Sequence, residues 1–369
     1  MTQQVAVNFE KLVHVCLERN IPFVAYRLPG PGSAIKLWLQ RSGKMLFVEH
    51  VADLAGKTGF VYAPFHRLTN FPVIFFEPEF IVEAGQVSNT LIRELEDAPP
   101  LYQDYASGIP EEMSREGYLR QVDRIVHSLD EVLAKVVLSR VKVVEKPDKF
   151  DEAAFFLSAA RNYPGAFVHL IHIPGAGTWS GASPELLLTA DGGQVTTVAL
   201  AGTRKITGSD NPEWGDKEIE EQEMVSRHVE QVITDAGISD FSRGQAETVN
   251  AGHLQHISTV FSFGQDDLRD DITAFISALH PTPAVCGLPV EQALEVIRKA
   301  ETHNREYYAG YCGPVRFEGE TNLFVNLRCM KILPEDLAIF VGGGLTKQSV
   351  PADEWNETEW KAKTLLSII

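Results

Sequence analysis

The sequence has few cysteines, and none of them stands in a metal-binding or redox spacing. Its four cysteines, Cys16, Cys286, Cys312 and Cys329, are scattered along the chain without a Cys-x-x-Cys pair. Zinc sites and redox dithiols bring two cysteines within a few residues of each other, so the sequence indicates neither. Scattered cysteines are typical of a reducing compartment, and we expect a cytoplasmic protein.

Long apolar runs and basic segments are also missing. No run approaches the roughly 20 residues that a membrane-spanning helix needs. The N-terminal Met-Thr-Gln-Gln lacks the basic flank and apolar core of a signal peptide. A net charge of −17 without a basic stripe argues against nucleic acid or an anionic membrane as a partner. The 369 residues, 44% of them hydrophobic, suffice for one large domain or two to three average ones.

Residues 1–110 carry no legible chemistry, and we expect them to form a scaffold within the same domain as the rest. Their apolar pattern predicts a helix near 9–17 and a meander of short strands at 23–26, 45–48 and 73–76. The stretch 97–110 contains prolines and polar residues and is a plausible connector.

Residues 111–369 alternate predicted helices with many short strands. The helices are expected at 119–132, 155–159, 216–236 and 271–279, after Pro289, and at the C-terminus. The strands are expected at 135–140, 167–173, 178–181, 185–188, 194–200, 253–263, 322–331 and 337–342. Consecutive short strands joined by glycine-rich turns favour an antiparallel sheet over βαβ units.

Lys135 opens the apolar strand Lys-Val-Val-Leu-Ser-Arg and shares one face with Val137 and Ser139. Burial disfavours a charged ammonium, so a lysine in this position can have a lowered pKa and act as a base. The alternative is a lysine whose stem packs at the strand end while its ammonium reaches water.

Two pairs of glutamates repeat a spacing of three residues on predicted helices. Glu218 and Glu221 form one pair, and Glu354 and Glu357 form the other. Residues three apart share a helix face, where like charges repel unless a cation neutralises them. Magnesium held by a few carboxylates and several waters fits this pattern, and a solvated acidic face is the alternative.

Glu185 and the run Gly342-Gly-Gly344 are further candidates. Glu185 borders an apolar strand, where a raised pKa suits a general acid, although a glutamate facing water at the strand edge is an equal alternative. The glycines follow the strand at 339–341 and let backbone amides approach an anion.

Cationic and aromatic side chains complete the set of candidates. Arg328 and Lys361 are placed to bind a carboxylated ligand, and Lys361 is also placed to pair with Glu357 one helical turn away. His256, His280 and Tyr308 are weak signals by themselves.

Together these segments resemble the chorismate-utilising enzymes, which include isochorismate, salicylate, anthranilate and aminodeoxychorismate synthases. The resemblance lies in ten motifs that run in the family's order across residues 115–369. They are KVVLSR (135–140), GASPE (181–185), LAGT (200–203), KEIEE (217–221), LQH (254–256), LHPTPAV (279–285), YAG (308–310), LRC (327–329), GGGL (342–345) and EWNET (354–358).

Three positions bear on the nucleophile and the product. Lys135 resembles the lysine that activates water in isochorismate and salicylate synthases, and Ala201 replaces the nucleophilic lysine of aminodeoxychorismate synthases. Salicylate synthases tend to carry threonine where this chain has Ala284. The resemblance therefore implies isochorismate synthesis for a menaquinone or siderophore pathway, with salicylate synthesis as the alternative. The chain departs from the family pattern at Cys286, Gly343 and 301–305, without losing a charged group.

The resemblance also implies a mechanism. Glu221 and Glu357, supported by Glu218 and Glu354, would hold a magnesium ion that binds the ring carboxylate of chorismate. Lys135 would deprotonate water for attack at C2, and protonated Glu185 would donate to the departing C4 hydroxyl.

The remaining residues that the resemblance assigns would bind substrate. Tyr308 and Arg328 would hold the pyruvyl carboxylate, the Gly344 amide and Lys361 would contact a carboxylate, and Gly202, Thr203 and His256 would line the pocket.

The fold implied by the resemblance is α+β, a large single domain of two stacked antiparallel β-sheets flanked by helices. Within it, 111–369 would be the chorismate-binding catalytic region. A water-using site needs no glutaminase subunit, and the family suggests a monomer. Two other classes stay open: a chorismate-binding subunit without turnover, and a magnesium-dependent phosphate-processing enzyme, for which the sequence offers no phosphate loop.

Overall fold

The computed structural model describes residues 3–54, 56–66, 71–101, 108–206, 213–268 and 272–369. Within these ranges the chain forms eight α-helices and nineteen strands. The helices, α1 to α8, are Gln3–Glu18, Asn89–Glu96, Arg115–Ser128, Glu152–Asn162, Asp216–Asp235, Ile272–Leu279, Val290–Ala300 and Pro351–Leu366.

The strands lie between these helices in chain order. Strands β1 to β6 are Phe23–Arg27, Ile35–Leu39, Leu46–Val48, Gly59–Ala63, Val73–Phe76 and Phe80–Glu83. Strands β7 to β14 are Lys135–Glu145, Phe167–Ile173, Gly177–Ser183, Leu186–Asp191, Gln194–Lys205, Phe241–Arg243, Glu247–Ala251 and Leu254–Gly264. Strands β15 to β19 are Gly287–Leu288, Tyr311–Val315, Thr321–Val325, Cys329–Ile332 and Asp336–Leu345.

The strands form two large antiparallel sheets, as expected. The order in the nine-stranded sheet is β15-β7-β19-β18-β9-β8-β1-β2-β6. In the ten-stranded sheet it is β12-β14-β11-β10-β17-β16-β4-β5-β3, and β13 also pairs with β14. Residues 1–110 therefore supply three strands to each sheet.

Two apolar clusters hold the layers together. The larger one lies between the sheets and joins buried residues such as Trp38, Phe60 and Phe340 with residues of α3, α5, α6 and α7. The smaller one lies on the opposite face of the nine-stranded sheet, beneath α1, α2, α4 and α8. Every residue of β1 and β8 is consequently buried. This two-sided burial explains why these strands are mostly apolar and show no alternation of apolar and polar residues, Arg27, His169 and His172 being their only polar residues.

The expected helix over 119–132 ends earlier than its apolar pattern suggests. It closes at Ser128, and Val132 is 63% exposed. The carboxylate of Asp130 accepts hydrogen bonds from the amides of Val132 and Leu133 at 2.8 and 2.7 Å. This side-chain turn competes with helix continuation and leads the chain into β7.

The expected single strand over 322–331 is wrong. The run contains two strands that belong to different sheets, β17 in the ten-stranded and β18 in the nine-stranded sheet. Arg328, with φ of +47°, lies at the break between them. An apolar run cannot show this break because both of its halves are buried strands.

The three consecutive glycines also lie elsewhere than expected. Gly342, Gly343 and Gly344 do not follow a strand but belong to β19, where they pair with Ser139, Leu138 and Val137 of β7. No helix among the described ranges is both long and apolar enough to cross a membrane.

Candidate active site

A cavity lies where the two sheets meet helices α5 and α8, and most of the predicted site residues line it. Its described lining residues fall between 137 and 361, so residues 1–110 supply none of them. They are Val137, Pro184, Glu185, Leu200–Thr203, Glu221, His256, Ala284, Val285, Tyr308, Leu327, Arg328, Phe340–Gly344, Glu357 and Lys361.

Lys135 lies behind this lining, with a fully buried side chain. Its Nζ is 2.9 Å from Oε1 of Glu221, which lines the cavity. Burial, the largest single influence, acts to raise the pKa of Glu221. The hydrogen bond with Lys135 and the charges of Lys135, Lys361 and Lys217 together outweigh it, and the pKa is lowered. The expected buried lysine is therefore present, and a carboxylate expected to bind metal is its partner.

Glu185 lines the cavity and lies between β9 and β10. Its backbone is fixed on both sides, because its amide donates to Ser183 Oγ at 3.3 Å and its carbonyl accepts from Val325 at 3.0 Å. Burial raises the pKa of Glu185 to about 7, although the charges of Lys135, Lys361 and Arg328 act to lower it. The carboxyl group can thus hold a proton near neutral pH, as a general acid must.

Arg328 supplies a buried cation to the cavity. Its guanidinium donates to Thr364 Oγ1 at 2.9 Å and lies 3.3 Å from His256 Nε2. None of the ion pairs between described residues includes Arg328, and burial lowers its pKa to about 10. The charge remains available to an anionic ligand.

His256 holds Arg328 in place as a neutral ring. Burial, with the charges of Arg328 and Lys361, lowers the pKa of His256 to about 3. Its Nδ1 lies 2.9 Å from the carbonyl of Gly202, so we assign the proton to Nδ1 and leave Nε2 to accept from Arg328.

A bulge in β11 presents Gly202 and Thr203. The pairing of β11 with β14 shifts register between Ala201 and Arg204, and Gly202 has φ of +68°. A bulge of this kind turns a strand locally and redirects its groups. Here it brings the Gly202 carbonyl and the Thr203 hydroxyl to His256, the latter at 3.3 Å.

Residues 340–345 of β19 extend past β18, which pairs only with residues 337–339. This unpaired side, the open edge of β19, supplies polar groups to the cavity. Val137 and Ser139 direct their amides away from β19, toward Cys286 and Glu301. In an antiparallel ladder the residues opposite, Gly344 and Gly342, then direct their own backbone groups away from β7.

Lys361 and Tyr308 lie against this open edge. Lys361 Nζ donates to the Gly342 carbonyl at 2.8 Å and to Glu357 Oε1 at 2.7 Å, so the expected pairing one turn apart is present. Tyr308 is buried, stacks on Phe340 and brings its hydroxyl to within 2.9 Å of where a Cβ on Gly342 would lie.

The four glutamates are not equivalent. Glu354 is 1% exposed and accepts from Lys217 Nζ at 2.7 Å through Oε1, while its Oε2 has no partner. Burial, and then the nearby charge of Glu357, raises the pKa of Glu354 to about 7. Glu218 is half-buried, and its Oε2 lies 2.7 Å from the position of a Cβ on Gly215, at the start of α5.

These carboxylates fit a divalent cation by their chemistry. Glu221, Glu354 and Glu357 surround Gly343 and Gly344, and each one is paired with a lysine. One buried carboxylate oxygen is orphaned, and Glu354 and Glu357 repel each other, a repulsion that a cation relieves. Among the ranges described above, no three His, Cys, Asp or Glu side chains already form a metal-ready cluster.

The glycines make room for these charges. A Cβ on Gly344 would lie 2.4 Å from Glu221 Oε1 and 2.9 Å from Lys135 Cε. A Cβ on Gly343 would lie 3.2 Å from Glu354 Oε2. Side chains here would displace the carboxylates, so the glycine run is required by packing as much as by its amides.

Glu301 and Arg305 brace β7 where β15 ends, a role that the sequence did not indicate. Arg305 donates to the carbonyls of Val137 and Val285 at 2.7 and 2.8 Å, and both of these residues line the cavity. Glu301 accepts from the Ser139 amide at 2.7 Å and from Arg305 at 2.6 Å. Glu301 and Arg305 thus form hydrogen bonds with backbone groups of β7 that a longer neighbouring strand would otherwise bind.

His303 joins this brace. Its Nε2 is 3.0 Å from Ser139 Oγ, which is also 2.8 Å from Glu301 Oε1. The motif 301–305 and Lys217 were both visible in the sequence, but the contacts that define their roles are long-range.

His280 lies outside the cavity, with its Nε2 3.1 Å from the Phe65 carbonyl.

The cavity thus combines a carboxyl group that can hold a proton, an arginine outside the ion pairs of the described residues and, behind its lining, a buried lysine. These groups can carry out acid–base chemistry on an anionic ligand. Residues 79–369 match the family model described as chorismate binding enzyme. The chain belongs to this family.

Isochorismate synthases are among its relatives. EntC of Escherichia coli K12 is 28% identical over 242 residues, 63% of this chain and 62% of that protein. DhbC of Bacillus subtilis is 27% identical over 289 residues, 72% of this chain and 68% of that protein. The structure of MenF, the menaquinone-specific isochorismate synthase of E. coli, has 19% identity and a TM-score of 0.75, covering 94% of this chain and 88% of that one. The MenF likeness shows a shared fold.

Removing Arg305 should destabilise the protein. Arg305→Ala leaves Glu301 buried without its partner and two strand carbonyls without donors. We expect a loss of about 3–5 kcal/mol in the free energy of unfolding, measured by urea denaturation. Arg227→Ala, which removes an exposed ion pair, should cost about 0–1 kcal/mol. A loss no larger than that of the control would contradict the bracing role.

Proposed function

We propose that the protein is an isochorismate synthase, a magnesium-dependent isomerase that converts chorismate to isochorismate. The observation that carries this proposal is a cavity lined by Glu185, which can hold a proton near neutral pH, with the buried Lys135 behind the lining residue Glu221. The names of the relatives support the same activity.

Lys135 and Glu185 perform the two proton transfers. Lys135, as the neutral amine, takes a proton from water as the water oxygen bonds to C2, the ring double bonds shift, and the C4–oxygen bond breaks. Glu185 gives its proton to the leaving oxygen, which departs as water. For Lys135 to accept a proton, its contact with Glu221 at 2.9 Å must open and leave the neutral amine. A cation held by Glu221 would compete with Lys135 for this carboxylate.

The carboxylates of chorismate bind to the cationic side of the cavity. Arg328, held by His256 and Thr364, takes the pyruvyl carboxylate together with the Tyr308 hydroxyl. Lys361 and the Gly344 amide contact a carboxylate from the open edge of β19, while Gly202, Thr203 and His256 form the wall. Because the guanidinium has no carboxylate partner among the described residues, no ion pair has to break when it binds a substrate carboxylate.

Glu221 and Glu357 hold magnesium in this proposal, and Glu218 and Glu354 support them. A magnesium ion held there would supply positive charge beside the ring carboxylate, a Lewis-acid role.

Water rather than an amine is the nucleophile, since Ala201 and not a lysine lines the cavity at the position that discriminates the family members. Ala284 also lines the cavity, and its small side chain favours release of isochorismate over pyruvate elimination. The product serves menaquinone or siderophore synthesis.

We further propose that residues 1–110 act as a scaffold of the same domain and 111–369 as its catalytic region. The six strands from the first part and the cavity lining from the second support this division. We also propose that the enzyme is cytoplasmic, monomeric and without a glutaminase subunit. Of these, only the cytoplasmic location draws support from the cysteines, since four buried, unpaired cysteines are typical of a reducing compartment.

Incubating the purified protein with chorismate, with and without magnesium, and resolving the products by liquid chromatography tests the proposal. Isochorismate formed only with magnesium is expected. Salicylate and pyruvate as products would assign the chain to the salicylate synthases, and the absence of any conversion would favour a binding subunit.

Loss of either proton-transfer group should abolish turnover while the chain remains folded. We expect Lys135→Ala and Glu185→Gln each to lower the rate by about 10²–10⁴-fold or more. Lys149→Ala and Glu145→Gln, exposed positions near the end of β7, serve as controls with an unchanged rate. Near-normal turnover in either site variant, with circular dichroism as the check of folding, would refute its assignment.

Activity should fall at alkaline pH. The proton of Glu185 is required for donation, and its pKa is about 7. The value of kcat/KM should therefore drop about tenfold per pH unit above that pKa. Initial rates from pH 6 to 9 measure this, and a constant kcat/KM between pH 7 and 9 would contradict the acid role.

A further inference from the structure

Tyr118 brings an unused hydroxyl group to the glutamate cluster. It belongs to α3, is fully buried, and packs its ring edge-on against Trp355 of α8 at 5.6 Å. Its hydroxyl oxygen has no hydrogen-bond partner within the described structure. Burying a hydroxyl without a partner is costly, so such groups call for an explanation.

A second orphaned atom lies close to this hydroxyl. Glu354 Oε2 also has no partner, although Oε1 of the same carboxylate is bound by Lys217. Both atoms lie within 4.0 Å of one point, the position that a Cβ on Gly343 would occupy, at 4.0 Å for Tyr118 and 3.2 Å for Glu354. Glu357 Oε1 is 3.6 Å from the same point. The two orphans face the same small region without bonding to each other.

The chemistry of this region matches a hydrated cation. Magnesium in proteins keeps several waters, and a metal-bound water is mainly a hydrogen-bond donor. The free carboxylate oxygen is an acceptor, and a tyrosine hydroxyl accepts one bond while donating another. Tyr118 can accept from a bound water and donate to Glu354 or Glu357, which satisfies the Tyr118 hydroxyl and leaves no carboxylate oxygen of Glu354 without a partner.

We propose that Tyr118 is a positioning residue of the divalent-cation site, holding a cation-bound water together with Glu354. The inference rests on the proposed function, which places magnesium among these glutamates. It assigns to Tyr118 a role through the cation's water and the carboxylates, without contact to substrate.

Tyr118→Phe removes the hydroxyl and keeps the ring. Calorimetric titration of the full chain with Mg²⁺ alone should give a Kd about 10-fold weaker than in the unchanged protein. Because the metal-free protein loses no hydrogen bond, its melting temperature should be unchanged or slightly higher. Tyr26→Phe is the matched control, since Tyr26 is another buried tyrosine with an orphaned hydroxyl, on strand β1, and its Kd for Mg²⁺ should not change.

Three results would overturn the inference. An unchanged Kd in Tyr118→Phe would do so, and a lowered melting temperature of the metal-free variant with an unchanged Kd would show a purely structural hydroxyl. Equal weakening in Tyr26→Phe would show a nonspecific effect. If the unchanged protein binds no Mg²⁺, the proposed cation site itself fails, and this is distinguishable because no variant is needed to see it.

Discussion

The structure depends on keeping buried charges neutralised next to a cavity that must stay open to an anion. Three ammonium groups, those of Lys135, Lys217 and Lys361, each pair with one carboxylate of the glutamate cluster. Ionised groups inside a protein are tolerated only with such partners. Arg328 differs, because neutral groups hold it, and its charge is left for a ligand. A binding site arises where the internal pairing is incomplete.

The same pairing links β7 of the nine-stranded sheet to helices α5 and α8. Glu221 comes from α5, Glu354 and Glu357 from α8, and their partners from β7, α5 and α8. The glycines of β19 let these side chains meet over the strand, since any side chain at Gly344 would collide with Glu221. Fold and chemistry are therefore connected through backbone positions that carry no functional group of their own.

Much of the fold was predictable from local patterns, and much of the site from the order of motifs. Helix α7 starts after Pro289 and β14 spans 254–264, as apolar spacing indicates. The break at Arg328 was not predictable, because two buried strands read as one apolar run. The side-chain brace of Glu301 and Arg305 and the orphaned hydroxyl of Tyr118 escaped prediction for another reason. Their roles rest on contacts between distant segments, which spacing along the chain does not encode.

The brace has a consequence for the protein in a crowded solution. Strand β15 is only two residues long, so β7 would otherwise expose a longer sheet edge beside it. Free strand edges recruit strands of other chains and promote aggregation. Arg305 and Glu301 occupy the acceptor and donor that such a strand would seek at Val137 and Ser139. The pair that shapes the cavity wall thereby also discourages self-association.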